Sequence, residues 1–155
     1  LKSSRKNMSL GQYVLRRTGI PLGASGSLIM MFSKSFSAKS PKVFWQYWNP
    51  VFSYYLGKYI HSPIKRILPV SVATILTFLV SGFIHDLATI FVRGSTRFLF
   101  TTWFFFLGLG VIIGEIANVE WPQQRKSVRV LSNLLYLILN LGLAYGVIFI
   151  LSTNS

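Results

Sequence analysis

Apolar residues in this chain gather into three long runs separated by short polar stretches. The first covers residues 67–92, ILPVSVATILTFLVSGFIHDLATIFV. A helix of about 20 apolar residues, rising 1.5 Å each, crosses a bilayer, so this run predicts a transmembrane helix. Residues 98–117 and 130–152 predict two more. The connections between them, 93–97 (RGSTR) and 118–129 (NVEWPQQRKSVR), are polar. The first run also carries a polar seam. At 100° per residue Ser71, Thr74, Thr77, Ser81, His85 and Thr89 fall on one side, with Gly82 beside them. In the third run Asn133, Tyr136 and Asn140 share a face, which makes that face the expected partner of the seam. Gly110 and Gly114 in the second run either allow close approach of another helix or reflect ordinary helix flexibility.

Upstream of residue 67 the pattern weakens. Residues 1–18 are mixed and basic, with no run that could span. Residues 19–33, GIPLGASGSLIMMFS, are apolar but short and rich in Gly and Ser. They predict a re-entrant or partly buried helix, or the stub of a span. Residues 34–42 read as a polar, basic turn region ending at Pro41. Residues 43–60, VFWQYWNPVFSYYLGKYI, are dense in Trp, Tyr and Phe. Such rings favour the headgroup level, and the pattern predicts an interfacial amphipathic helix. Asn49-Pro50 divides it, with Asn49 as N-cap and Pro50 in the first helical position. The following HSPIKR reads as a loop. The expected architecture is an all-α membrane protein forming one membrane domain over 1–155. It has an N-terminal interfacial/re-entrant helical region, made of a basic, weakly apolar segment (1–42) and aromatic interfacial helices (43–66), followed by about three transmembrane helices within 67–152.

Charge sharpens this picture. Sixteen Lys and Arg face only Asp86, Glu115 and Glu120, for a net charge of +13. In a soluble protein that balance suggests nucleic acid. Here the positives lie outside the apolar runs, where they set topology and meet anionic lipid, so no nucleic-acid partner is expected. Eleven positives precede the first run, and three more lie between the second and third. Only Arg93 and Arg97 lie in the first connection. The positive-inside rule places the aromatic segment and the second connection in the cytoplasm. The chain begins with Leu and has no signal-peptide pattern, so it reads as part of a longer protein or as one lacking its native start. It contains no cysteine, which excludes disulfides, thiolate metal sites and a cysteine nucleophile.

His85 is the candidate reactive group, because an ionisable side chain at membrane depth is costly to keep. It is suited to be a general base toward a hydroxyl, and equally to be a structural hydrogen-bonding residue between helices. A metal site is not expected: the other histidine, His61, lies outside the runs, and Asp86 projects about 100° away from His85 on a helix. No nucleophile elbow, Walker A loop, dinucleotide fingerprint or acidic pair is present.

Two motifs go further. Phe44-Trp45-Gln46-Tyr47-Trp48-Asn49-Pro50 is followed by Tyr55-Leu56 and Tyr59, and then by Leu79-Val80-Ser81-Gly82-Phe83-Ile84-His85-Asp86. Together, with Asn49 and His85 separated by 36 positions, they resemble the signature core of the membrane-bound O-acyltransferase family. The resemblance is to the Asn-bearing branch (sterol, diacylglycerol and wax-ester synthases and bacterial relatives) and extends over residues 25–120. It implies that His85 activates an acceptor hydroxyl to attack an acyl-CoA thioester, while Asn49 orients a reactant or stabilises charge. Trp45, Trp48 and Ser81 within these motifs are candidate substrate-binding residues, and Lys58, Lys65 and Arg66 are by position the candidate contacts for the phosphates of CoA. Acyl-CoA is then a co-substrate, with no tightly bound cofactor. The partners are a lipid or other hydroxyl acceptor and membrane lipids, with a homo-oligomer or an additional membrane subunit as the form of association. The expected location is a multi-pass position in the cell membrane of a bacterium or the endoplasmic reticulum of a eukaryote. Family members are usually several times longer, with more spans around a tunnel, so this chain resembles a short or truncated member. The alternative is a non-catalytic truncated homologue serving as a membrane scaffold or subunit.

Overall fold

The computed structural model describes residues 8–121 and 125–153. Among these residues the chain is helical and contains no strand. Helix α1 (Leu10–Thr18) starts at a capping box, in which Ser9 and Gln12 satisfy each other's backbone N–H, and stops at Gly19 in the left-handed region (φ 80). Turns then lead to α2 (Ser27–Phe36), whose ten residues reach only ~15 Å and do not cross a bilayer. Ser40 caps α3 (Pro41–Tyr47). Asn49, with φ 39 and ψ 70, turns the chain into α4 (Pro50–Leu56). Its Oδ1 accepts the N–H of Phe52 at 3.2 Å, while Pro50 occupies the first helical position, as the Asn-Pro pair predicts.

The stretch read as a loop is helical. A π-helical turn over Gly57–His61 continues α4 directly into α5 (Ser62–Ile64). Pro63 has no N–H to return to the carbonyl four residues back, and the wider turn spans that place. The π turn packs against α6, the first long helix (Val70–Arg93).

Three helices follow that are long and apolar enough to cross a membrane: α6 (Val70–Arg93), α7 (Leu99–Ile116) and α8 (Lys126–Thr153). Their order and extent match the three apolar runs, except that α8 begins inside the polar connection. Large apolar side chains such as Val70, Phe91, Val92 and Ile116 are exposed along these helices, as lipid-facing residues are. Helix α7 lies in the middle of the row, packed against α6 on one side and α8 on the other. The α6–α7 crossing is close because residue 82 is glycine: a Cβ there would lie 2.6 Å from the Phe100 carbonyl oxygen.

The Gly110/Gly114 pair of α7 is used inside the chain. The Tyr136 ring of α8 lies where a Gly110 Cβ would be, at 2.7 Å, and Pro41 sits 3.7 Å from the equivalent place at Gly114. Phe104, Leu107 and Tyr136 form the buried centre, ringed by Trp45, Phe78 and Trp103. The polar face of α8 does not meet the seam of α6. Asn133 instead donates to the carbonyls of Phe36 and Ala38 (3.0 and 2.8 Å) and accepts from Trp121 Nε1. Tyr136 donates to the Leu107 carbonyl at 2.6 Å and accepts from Trp45 Nε1 at 3.1 Å. Buried amides and hydroxyls need partners, and the carbonyls of Phe36, Ala38 and Leu107 together with Trp45 and Trp121 supply them in place of α6.

Candidate functional site

Between α6 and the 42–61 segment lies a cavity of about 410 Å³. One wall is the seam of α6: Thr74, Thr77, Ser81 and His85. The threonine hydroxyls donate to their own helix, Thr74 to the Val70 carbonyl and Thr77 to the Ala73 carbonyl, so they line the cavity without demanding outside partners. The opposite wall comes from Trp45, Trp48, Asn49, Phe52 and the π turn. π-helical turns recur at functional sites because they displace side chains from their regular helical positions. Here the turn brings His61 to the cavity wall.

His85 is half-buried and lines this space. Its Nδ1 lies 2.7 Å from the Ser81 carbonyl oxygen. A carbonyl oxygen has no proton to offer, so Nδ1 is the N–H and Nε2 carries the lone pair. Among the described residues Nε2 has no hydrogen-bond partner. Phenylalanines fix the ring on three sides. Phe104 stacks at 5.1 Å, Phe100 lies tilted at 5.5 Å, and Phe52 meets it edge-on at 5.9 Å. Asn49 gives its Oδ1 to the helix cap, which leaves its amide NH₂ as the donor available to the cavity.

The structure thus brings Trp45, Trp48, Asn49, Ser81 and His85 to one cavity. Lys58, Lys65 and Arg66 do not line it. The Lys58 ammonium lies over the rings of Tyr54 and Tyr59, at 5.6 and 5.4 Å. The cations on the cavity wall are Arg17 and Lys42. Arg17 donates to Gln46 Oε1 at 3.3 Å, and Lys42 pairs with Glu115 at the end of α7. Nothing local in the sequence ties residue 17 to residue 46, so sequence reading passed over both cations. His61 was also passed over. Burial, reinforced by the Lys65 charge, lowers its pKa below the ordinary imidazole value.

Asp86 is a further residue whose role sequence reading missed. It is 1% exposed and accepts four hydrogen bonds. Thr96 Oγ1 and the Phe100 N–H donate to one oxygen, at 2.9 and 3.3 Å. The Thr101 N–H and Oγ1 donate to the other, both at 2.7 Å. The carboxylate therefore caps the first turn of α7 from a neighbouring helix, where a negative charge is favoured. The available signal was an acid inside a span followed, 10 and 15 residues on, by Thr96 and Thr101.

No curated protein and no solved structure matches the chain. The family model for membrane-bound O-acyltransferases matches residues 25–150, a stretch that contains both motifs, the aromatic segment, α6, α7 and nearly all of α8. On that match the chain belongs to the membrane-bound O-acyltransferase family, whose general activity is acyl transfer to an oxygen acceptor within a membrane.

Proposed function

We propose that the cavity transfers an acyl group from acyl-CoA to a hydroxyl acceptor, with His85 as general base and Asn49 as the orienting amide. The acceptor O–H gives its proton to His85 Nε2 as its oxygen attacks the thioester carbonyl carbon. Collapse of the tetrahedral centre breaks the C–S bond, and the departing thiolate recovers the proton from His85. The products are the ester and free CoA thiol. The Asn49 NH₂ is a donor for the carbonyl oxygen while it carries charge. The supporting observation is the Nδ1 contact with Ser81, which fixes the tautomer and leaves a lone pair beside a cavity that Asn49 also lines.

Arg17 and Lys42 are placed to meet the phosphates of the donor, with Trp45, Trp48 and Ser81 as walls for the reacting groups. Lys58, Lys65 and Arg66 stand farther out, as contacts for the outlying phosphate. The chain passes the membrane several times, with the aromatic segment on the cytoplasmic side where acyl-CoA is found. The scaffold alternative loses one support, because Gly110 and Gly114 pack within the chain.

The test uses purified protein in detergent, labelled acyl-CoA and pooled lipid alcohols. His85→Ala and His85→Gln are expected to lower turnover by on the order of 10²–10⁴, as loss of a general base does, with the helical spectrum unchanged. Turnover equal to wild type in both variants, or none in the wild type, refutes the assignment.

A further inference from the structure

A second groove, of about 290 Å³, lies at the opposite end of the helix row, where α6 ends, α7 begins and α8 ends. It shares no residue with the cavity around His85. Phe100 lies between them: its ring meets His85 at 5.5 Å, and the residue also lines the groove.

The groove is amphiphilic. Its polar end is made by Arg93, Ser95 and Arg97. Its apolar side is made by Leu99 of α7 with Ile148 and Phe149 of α8. Asp86 also borders it, but both carboxylate oxygens are occupied by the four donors from Thr96, Phe100 and Thr101. The other two acids, Glu115 and Glu120, pair with Lys42 and Lys39 at the far end of the row. Among the described residues neither Arg93 nor Arg97 makes an ion pair, and both are exposed.

Helix α6 has 24 residues, or ~36 Å, so Arg93 comes to the headgroup level. Two guanidinium groups held there, beside a single carboxylate already occupied, suit a phosphate, which arginine binds in bidentate fashion. A free phosphate would use only the polar end. A lipid uses both, with its headgroup between the arginines and hydrocarbon along the α8 wall. The volume equals about ten waters at ~30 Å³ each, enough for a headgroup and the first part of a chain.

We propose that this groove binds an anionic phospholipid through Arg93 and Arg97, with its acyl chain along Ile148 and Phe149, separately from any reacting substrate. The test reads lipids retained by the detergent-solubilised protein in native mass spectrometry after exposure to phosphatidylglycerol, phosphatidylcholine or inorganic phosphate. Wild type is expected to hold one phosphatidylglycerol in preference to phosphatidylcholine. The double variant Arg93→Gln/Arg97→Gln should hold it on the order of tenfold less well, as loss of two charge-assisted contacts implies. Arg125→Gln/Lys126→Gln, the same charge change at the other end, should keep it. Both pairs are exposed, so folding should survive, and a thermal melt of each variant checks this. Equal retention by Arg93→Gln/Arg97→Gln, no preference over phosphatidylcholine, or displacement of the lipid by inorganic phosphate would each overturn the proposal. The last result would make the groove a small-anion site, and the middle one would leave it to another protein segment.

Discussion

Replacing Asp86 by Asn should destabilise the protein measurably without changing the shape of the side chain. The carboxylate accepts two hydroxyls and two backbone N–H groups. An amide keeps one acceptor oxygen and puts NH₂ in place of the other. A threonine hydroxyl can turn and accept from that NH₂, but a backbone N–H cannot. Whichever way the amide is oriented, the N–H of Phe100 or of Thr101 is orphaned in a buried place, at a cost of about 1–3 kcal/mol. Loss of the negative charge at the start of α7 adds about 0.3–2 kcal/mol. The weaker contact, Phe100 at 3.3 Å, is the one given up more cheaply, so the total should fall near 2–4 kcal/mol. For a chain of this size that is about 5–15 °C in Tm. Asp86→Ala orphans both N–H groups and leaves a void, so it should fall further. The assay is thermal unfolding in detergent followed by circular dichroism. Because the first turns of α7 carry Phe100 and Phe104 against His85, acyl transfer should drop together with Tm. A Tm for Asp86→Asn equal to wild type, or Asn and Ala variants that melt alike, would refute the capping role.

Two further outcomes can be checked in the same preparation. Tyr136→Phe removes a hydroxyl that donates to Leu107 and accepts from Trp45, so it should cost about 1–3 kcal/mol and shift tryptophan emission to the red as Trp45 loosens; an unchanged spectrum and Tm would show that the pair does not bind α3 to α8. His61 has a pKa lowered in the folded state, so as pH falls below ~6.5 the unfolded chain binds the proton first and stability drops. Wild type should lose Tm over that range and His61→Gln should lose less, whereas parallel pH profiles would contradict the shift.

Much of the fold was legible because hydrocarbon is a severe filter. Twenty apolar residues in a row admit few structures, and the three runs became α6, α7 and α8. The Asn49-Pro50 break was legible for a local reason, since an N-cap and a proline act within one turn. The helical path of 61–64 was not, because His61, Ser62 and Pro63 carry no periodic signal and the preceding π turn is held by packing on α6. The partner of the α8 polar face was misread because periodicity tells which residues share a face but not which neighbour that face meets. Asn133 found the carbonyls of Phe36 and Ala38, nearly a hundred residues away. The seam of α6 was legible as a wall, yet the cations Arg17 and Lys42 across the cavity reach it only through tertiary folding.

Neighbouring side chains on a helix diverge by about 100°, and α6 fastens two neighbours in succession. Residue 86 is tied to the start of α7, and residue 85 is clasped by rings from α7 and α4. Spinning α6 about its long axis by even a fraction of a turn would undo both attachments at once. It is therefore a fixed post, and the room that a bulky guest needs has to come from the partition facing it. That partition holds the left-handed residue 49 and the π turn at 57–61, so the irregular backbone around the cavity lies on the side that carries the rings.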